Sequence, residues 1–312
     1  MIETEALTKS YGSLTAVDNL TFTVTAGQVL GFLGPNGAGK STTMKMLAGF
    51  LTPSSGKASI CGFDVEAEPV EAKKRIGYLP EGAPAYGEMT PAGFLEFVAD
   101  IRELEGPHRA QRLDEVIQRL HLDRVLHQPI ETLSKGYKRR VGLAQAILHD
   151  PRVLILDEPT DGLDPNQKHE VRGLIREMAA DKIIVVSTHI LEEVHAVCNR
   201  AIIIAGGRIL ADDTPAALEA RSPRHRAIRL ALPEPVRAAA AEAVGQIDGV
   251  ASVEQQDDGL VVVPAGDAVI LPEIGRVALS QGWDVSELQV QTGQLDEVFR
   301  QITTSDATGV RA

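Results

Sequence analysis

Short apolar runs alternate along the chain with stretches of helical period, and that alternation predicts the architecture. Strand-like patterning marks Ile2–Leu7 and Leu20–Val24, and the apolar run Val29–Leu33 reads as a strand buried on both faces. A glycine-rich turn follows, then a helix from Gly39 to about Gly49. Short strands are expected at Lys57–Cys61 and Ile76–Leu79. From roughly 91 to 149 the pattern turns helical, with segments at Ala92–Leu104, Gln111–Leu120 and Lys138–His149. Strand signals return at Val153–Leu156, Ile183–Val186, Ile202–Ala205 and Arg208–Leu210, with helical segments between the first three. Apolar strands interleaved with helices predict an α/β domain built on a largely parallel sheet covered on both faces. The helical block, about 85–150, reads as a subdomain inserted into a domain that spans 1–220.

A boundary falls near Arg221-Ser222-Pro223. Beyond it the pattern gives strand (Ala227–Ala231), helix (Glu234–Ile247), strand (Ala251–Gln255), a turn at Asp257-Asp258-Gly259, strand (Leu260–Val263), helix (Ala268–Gln281) and strand (Asp284–Gln291). The order βαββαβ predicts a small ferredoxin-like α+β module over 223–302. Residues 303–312 are expected to form a flexible tail.

Composition narrows the class. The 312 residues suffice for a full α/β domain and a smaller one, and 44% hydrophobic with 24% charged residues is an ordinary globular balance. No apolar run approaches the ~18 residues of a membrane helix, and the acidic start Met1-Ile2-Glu3-Thr4-Glu5 lacks the apolar core of a signal peptide. A role at a membrane therefore calls for a partner that supplies the spans. The net charge of −12, with no lysine after Lys182, weighs against nucleic acid as a partner, which needs a basic surface. The two cysteines, Cys61 and Cys198, form no CxxC pattern, so neither a disulfide nor a zinc site is expected and a reducing, cytoplasmic compartment fits.

The strongest chemistry sits in Gly34-Pro35-Asn36-Gly37-Ala38-Gly39-Lys40-Ser41-Thr42, which fits GxxxxGK[ST] between a predicted strand and a predicted helix. Glycines let the backbone wrap so that several N–H groups face phosphate oxygens, and the helix adds its positive end. Lys40 then reaches the β- and γ-phosphates, and the Ser41 hydroxyl ligates Mg²⁺. A glycine-rich turn could match this pattern by accident, but the strand-turn-helix context favours phosphate. Val153–Leu156 runs into Asp157 and Glu158. Beside a phosphate loop, Asp157 is expected near Mg²⁺, directly or through water, and Glu158 can polarise a water for in-line attack on the γ-phosphate.

These motifs resemble the ABC ATPases over residues 1–220, and the resemblance implies a P-loop NTPase of the ABC nucleotide-binding type. Leu133-Ser134-Lys135-Gly136-Tyr137 is similar to the family's LSGGQ signature, where Ser134 and the Gly136 N–H would contact the γ-phosphate held by an opposite subunit. A simple Ser134 helix cap is compatible with that role. Gly162-Leu163-Asp164 resembles the D-loop, and Ser187-Thr188-His189 ends a strand as the switch histidine does; Tyr11 matches the aromatic that stacks on adenine. His195 and the other histidines have no such placement. Glu81 stands where the family usually has glutamine; a carboxylate there can still reach Mg²⁺ but adds negative charge near the γ-phosphate. The LSKGY and YLPE sequences, with the closing Leu295-Asp296-Glu297-Val298-Phe299, resemble a bacterial exporter subfamily that includes drug-, sodium- and gliding-motility-associated ATPases.

The resemblance implies two ATPase subunits, homodimer or heterodimer, closing head-to-tail around ATP and Mg²⁺ on the inner face of the cell membrane. The segment Ala83-Pro84-Ala85-Tyr86 would pass the movement to a membrane permease subunit. The alternative is a soluble ABC ATPase without a permease. Relatives of that kind carry a second cassette, long coiled coils or zinc motifs, none of which this sequence shows. The C-terminal module has no catalytic constellation and reads as a structural, dimer-stabilising or regulatory appendage.

Overall fold

The computed structural model describes residues 1–83 and 85–309, with the backbone alone for 304–309. Pro84, within the segment expected to transmit movement, and the last three residues of the expected tail lie outside the described residues. The chain divides into two compact units, Met1–Thr214 and Pro215–Ala312, a division somewhat before the turn at Arg221-Ser222-Pro223.

The first unit runs β1 (Ile2–Tyr11), β2 (Leu14–Val24), β3 (Val29–Leu33), α1 (Lys40–Leu47), β4 (Ser55–Ile60), β5 (Phe63–Asp64), α2 (Pro69–Lys74), β6 (Ile76–Leu79), α3 (Pro91–Ile101), α4 (Gly106–Arg119), α5 (Lys135–Ile147), β7 (Val153–Asp157), α6 (Pro165–Met178), β8 (Ile183–Thr188), α7 (Leu191–Val197), β9 (Arg200–Ala205) and β10 (Arg208–Asp213). Strands β9, β3, β8, β7 and β6 lie in that order and are all parallel, with β10 antiparallel at one edge. The N-terminal strands do not join this sheet. A two-residue turn at Gly12 and Ser13 folds β2 back on β1, a connection that only antiparallel pairing permits, and β2-β1-β4-β5 form a sheet of their own.

Side chains of the parallel strands alternate between two cores, as their pleat requires. Leu154, Leu156, Ile184 and Val186 pack among the apolar residues of α3, α4 and α5. Val153, Ile155, Ile183 and Val185 pack on the other side with α1 and the antiparallel sheet. Helix α5 comes very close to β6: a Cβ on Gly77 would stand 2.0 Å from the Ala146 carbonyl oxygen, so glycine is required at this approach. Arg112 of α4 donates to the carbonyls of Leu148 (2.9 Å) and Ile147 (2.8 Å), satisfying acceptors that the end of α5 leaves open.

The second unit runs α8 (Pro215–Glu219), β11 (Ile228–Ala231), α9 (Glu234–Gly245), β12 (Val250–Gln256), β13 (Gly259–Pro264), α10 (Leu271–Ser280), β14 (Glu287–Val290) and α11 (Leu295–Gly309). Its antiparallel sheet has the order β12-β13-β11-β14, in which hairpin strand β13 lies between the two strands that flank α9. That is the ferredoxin-like arrangement expected of βαββαβ. Ile228, Leu230, Leu260 and Val262 form its core with Ala240, Val244 and Ile274. Helix α11 continues to Gly309, where the composition alone suggests a flexible tail from 303.

His149, just past α5, bonds through Nε2 to the Ile76 carbonyl (3.1 Å). Its Nδ1 is buried with no partner among the described residues. Burial, reinforced by the Arg102 charge, pulls its pKa from 6.5 down to about 3, so the folded protein keeps it neutral. An unfolded chain takes up a proton that the fold refuses, so this group's stabilising contribution is complete above the unfolded value and is lost as pH falls toward the folded one. We expect the thermal midpoint to drop between about pH 7 and about pH 5, and His149→Gln to flatten that part of the dependence. Thermal unfolding across that range measures it, and an unchanged profile in the variant would remove His149 as the cause.

Candidate functional site

The phosphate motif forms the turn between β3 and α1. Gly39 caps α1 in the left-handed region at φ 105°, and a Cβ there would meet the Ala16 carbonyl oxygen at 2.5 Å. No side chain caps the helix and no acidic residue occupies its first turn, so the first-turn N–H groups and the positive end of α1 remain available to an anion. Lys40 is nearly buried and donates to the carbonyls of Gly34 (2.7 Å) and Pro35 (3.2 Å). Burial lowers its pKa, while Glu158, Asp157 and Glu81 act to raise it. A cleft of about 310 Å³ opens here, walled by Asn36, Gly37, Gly39, Lys40, Ser41 and Thr42 on one side and by Glu81 and Glu158 on the other.

The carboxylates arrive from β7. Asp157 has no exposed surface and accepts a hydrogen bond from the Ser187 hydroxyl through Oδ1. Its Oδ2 has no partner among the described residues. Glu158 follows at φ 51°, a left-handed conformation that costs a non-glycine residue energy and is frequent where function fixes the backbone. Its N–H donates to the Ser187 carbonyl (3.1 Å), which ties the turn to β8. Burial raises the Glu158 pKa, opposed by the hydrogen bond and charge of His189 and by Lys40. His189 Nδ1 and Glu158 Oε1 are 3.0 Å apart, which fixes the imidazole against the carboxylate.

Two further residues hold this arrangement. Glu193, at the start of α7, is buried and accepts hydrogen bonds from Thr160 and from Thr188 (2.9 Å). It thereby joins the loop after Glu158 to the residue before His189. Arg139 of α5 is 4% exposed and donates to the carbonyls of Pro80 (3.2 Å) and Glu158. Neither is legible in the sequence, because both side chains are of types that normally face water. The one local hint is the string Lys138-Arg139-Arg140 after the signature, two members of which turn inward.

The remaining candidates are placed apart from the cleft wall. Ser134 caps α5, accepting from the Tyr137 N–H (3.3 Å), and Gly136 lies against the Gln167 side chain. Asp164 caps α6 through a reciprocal capping box with Gln167. Tyr11 is half exposed beside Lys9. The structure thus gathers Lys40, Ser41, Glu81, Asp157, Glu158 and His189 at one edge, while Tyr11, Ser134, Gly136 and Asp164 are not among the residues that line the cleft.

The donor set suits Mg²⁺. Among the described residues no group of three or more His, Cys, Asp or Glu converges on a metal; Mg²⁺ is commonly bound by one or two protein oxygens together with substrate phosphates. The unpartnered Oδ2 of Asp157 and the Ser41 hydroxyl are such oxygens.

Gly39→Ala forces a Cβ into the Ala16 carbonyl and strains φ. We expect ATP affinity to fall by about 10-fold or more, on the scale of 1.4 kcal/mol per decade. Titration with a fluorescent ATP analogue measures this, and near-unchanged binding would show that the loop adapts.

Residues 17–161 match the ABC transporter family. An uncharacterized ABC transporter ATP-binding protein of Bacillus subtilis (strain 168), YdbJ, is 32% identical over 98% of this chain and 96% of its own. The Nod factor export ATP-binding protein I of Paraburkholderia xenovorans (strain LB400) is 35% identical over 75% of this chain and 78% of its own. The solved structure of the ATP-binding subunit of an ABC transporter matches with a TM-score of 0.66 and 31% identity, covering 70% of this chain and 92% of that one. Among the described residues no helix is long and apolar enough to cross a membrane. With a relative aligned along nearly the entire chain and the cassette fold beneath the phosphate loop, the protein belongs to the ATP-binding proteins of the ABC transporter family and is an ABC ATPase.

Proposed function

We propose that this ATPase is the motor subunit of a membrane exporter and that it works on the cytoplasmic face of the membrane with a separate permease. The observation that carries the reading is the division of the site. Lys40, Ser41, Asp157, Glu158 and His189 gather at one edge, and the signature residues Ser134 and Gly136 do not wall the same cleft. A second subunit, identical or homologous, completes the site by presenting its own signature to the γ-phosphate. ATP then stabilises the closed pair because only that state makes both sets of contacts. The export direction is supported by the relative named for Nod factor export and by the LSKGY and YLPE sequences.

Within the site, the first-turn N–H groups of α1 and the Lys40 ammonium hold the β- and γ-phosphates. Asp157 and Ser41 would hold Mg²⁺, with Glu81 in reach of the same cleft; a bound ion would supply charge withdrawal from the γ-phosphate. Glu158, its pKa raised by burial, is a stronger base than an exposed glutamate and orients the attacking water. His189, fixed by Glu158, presents its outer ring edge to the γ-phosphate. Tyr11 stacks on adenine, and Asp164 faces the partner subunit across the closed interface. The second unit is proposed as an appendage that steadies the dimer.

Glu158→Gln is expected to lower kcat by about 10²–10³-fold with ATP affinity retained. The variant should also form an ATP-dependent dimer on size exclusion. Used as a tagged bait in detergent-solubilised membranes, it should bring down a polytopic membrane protein in stoichiometric amount. Wild-type turnover would remove Glu158 as the base, and capture of ribosomes or nucleic acid instead of a permease would favour the soluble ATPase.

A further inference from the structure

The signature helix is capped by Ser134, proposed to meet a second subunit, yet one turn further on it sends a side chain back into its own catalytic edge. Arg139 is 4% exposed. One nitrogen of its guanidinium donates to the carbonyl of Glu158 and the other to that of Pro80, at 3.2 Å. The first carbonyl belongs to the residue proposed as base. The second belongs to the peptide that leads into Glu81, whose side chain walls the nucleotide cleft. Arg139 is therefore a direct link between the two acidic segments that wall the cleft opposite the phosphate loop.

Carboxylates outnumber cations on this edge, and Arg139 is one of the two cations that offset them. Asp157, Glu158 and Glu81 all act on Lys40, and the same three together with Asp161 act on Arg139. Four carboxylates thus act on two cations, and because Asp157, Lys40 and Arg139 are buried, the interactions among these three are less screened than in water, while Glu81 and Asp161 are exposed. Glutamate at position 81 adds the one carboxylate nearest the cleft that is neither buried at a strand end nor held by a histidine. An arginine is suited to the task, since it stays charged when buried and its planar fork can anchor two carbonyls at once.

We infer that Arg139 is a positioning residue that pins the Pro80–Glu81 segment to the backbone of Glu158 and supplies the charge that lets a glutamate stand at position 81, so that Arg139 and Glu81 act as an interdependent pair. This rests on the reading of Glu158 as the base. Arg139 itself touches neither nucleotide nor water; it acts through the placement of Glu158 and Glu81.

A cycle of four proteins tests the pair: wild type, Arg139→Gln, Glu81→Gln and the double variant, each assayed for steady-state ATP hydrolysis. Arg139→Gln should lower kcat by about 10-fold or more while KM for ATP changes by no more than about twofold, the pattern of a misplaced catalytic group. The double variant should recover most of that loss, because removing the Glu81 charge removes the need for its counter-charge. Losses that simply multiply in the double variant, or a wild-type-like Arg139→Gln, would overturn the inference. Should Arg139→Gln fail to fold, Arg139→Lys carries the test: it keeps the charge but loses the fork that joins the two carbonyls, so kcat is expected to fall by about threefold or more without relief from Glu81→Gln, and a wild-type-like Arg139→Lys would overturn the pinning. If the wild type hydrolyses ATP and Glu158→Gln turns over like it, the reading of the base has failed, which is a different result from failure of the pair.

Discussion

A carboxylate without exposed surface costs several kcal/mol in a protein interior unless donors or cations are brought to it, and the first unit is arranged around such a group in Asp157. Its strand β7 is buried on both faces, so the polar end of the strand can emerge only at the carboxyl edge of the sheet. Because β3, β8, β7 and β6 are parallel, the segments that follow them emerge at the same edge. The phosphate loop follows β3, His189 follows β8, Glu158 follows β7 and Glu81 follows β6. The site is assembled by strand direction first and by side-chain contacts second. Lys40 and Arg139 approach the Asp157 charge from two helices, and Ser187 satisfies one of its oxygens.

Much of this was legible in the sequence, for reasons that differ between elements. Val29–Leu33 and Ile76–Leu79 coincide with their observed strands because a parallel strand buried on both faces is an unbroken apolar run. The phosphate loop was legible because its glycines answer a steric demand that no other residue meets, as Gly39 shows. The pairing of β1 and β2 into a separate sheet was not, since local alternation reports that a strand is half buried and says nothing of which neighbour it joins. Helix α5 begins at Lys135, three residues before the expected Lys138, directly after the Ser134 cap that the sequence allowed.

Glu193 and Arg139 mark the limit of sequence reading more sharply. Both are charged residues on helices, and both would be assigned to solvent by their type. Glu193 is instead enclosed by two threonine hydroxyls, with the Arg172 guanidinium 4.0 Å away. Its burial is tolerable because those hydroxyls replace the water it loses. The consequence is that the loop carrying Glu158 and the loop carrying His189 share a single acceptor, so neither can shift without disturbing the other. The positive φ of Glu158 is held by the same surroundings, through the Ser187 carbonyl on one side of the residue and the Arg139 guanidinium on the other.

The close approach at Gly77 gives helix α5 a fixed point. The helix touches β6 where Gly77 meets Ala146, near its C-terminal end, and Arg112 grips the carbonyls just beyond. Ser134 lies twelve residues before Ala146, roughly 18 Å along the axis at 1.5 Å per residue. Tilting about that fulcrum would sweep the signature end through the widest arc and the Arg139 position through about half of it. Were the signature end displaced, the position of Arg139 along α5 would pass that displacement to the catalytic edge reduced by the shorter arm.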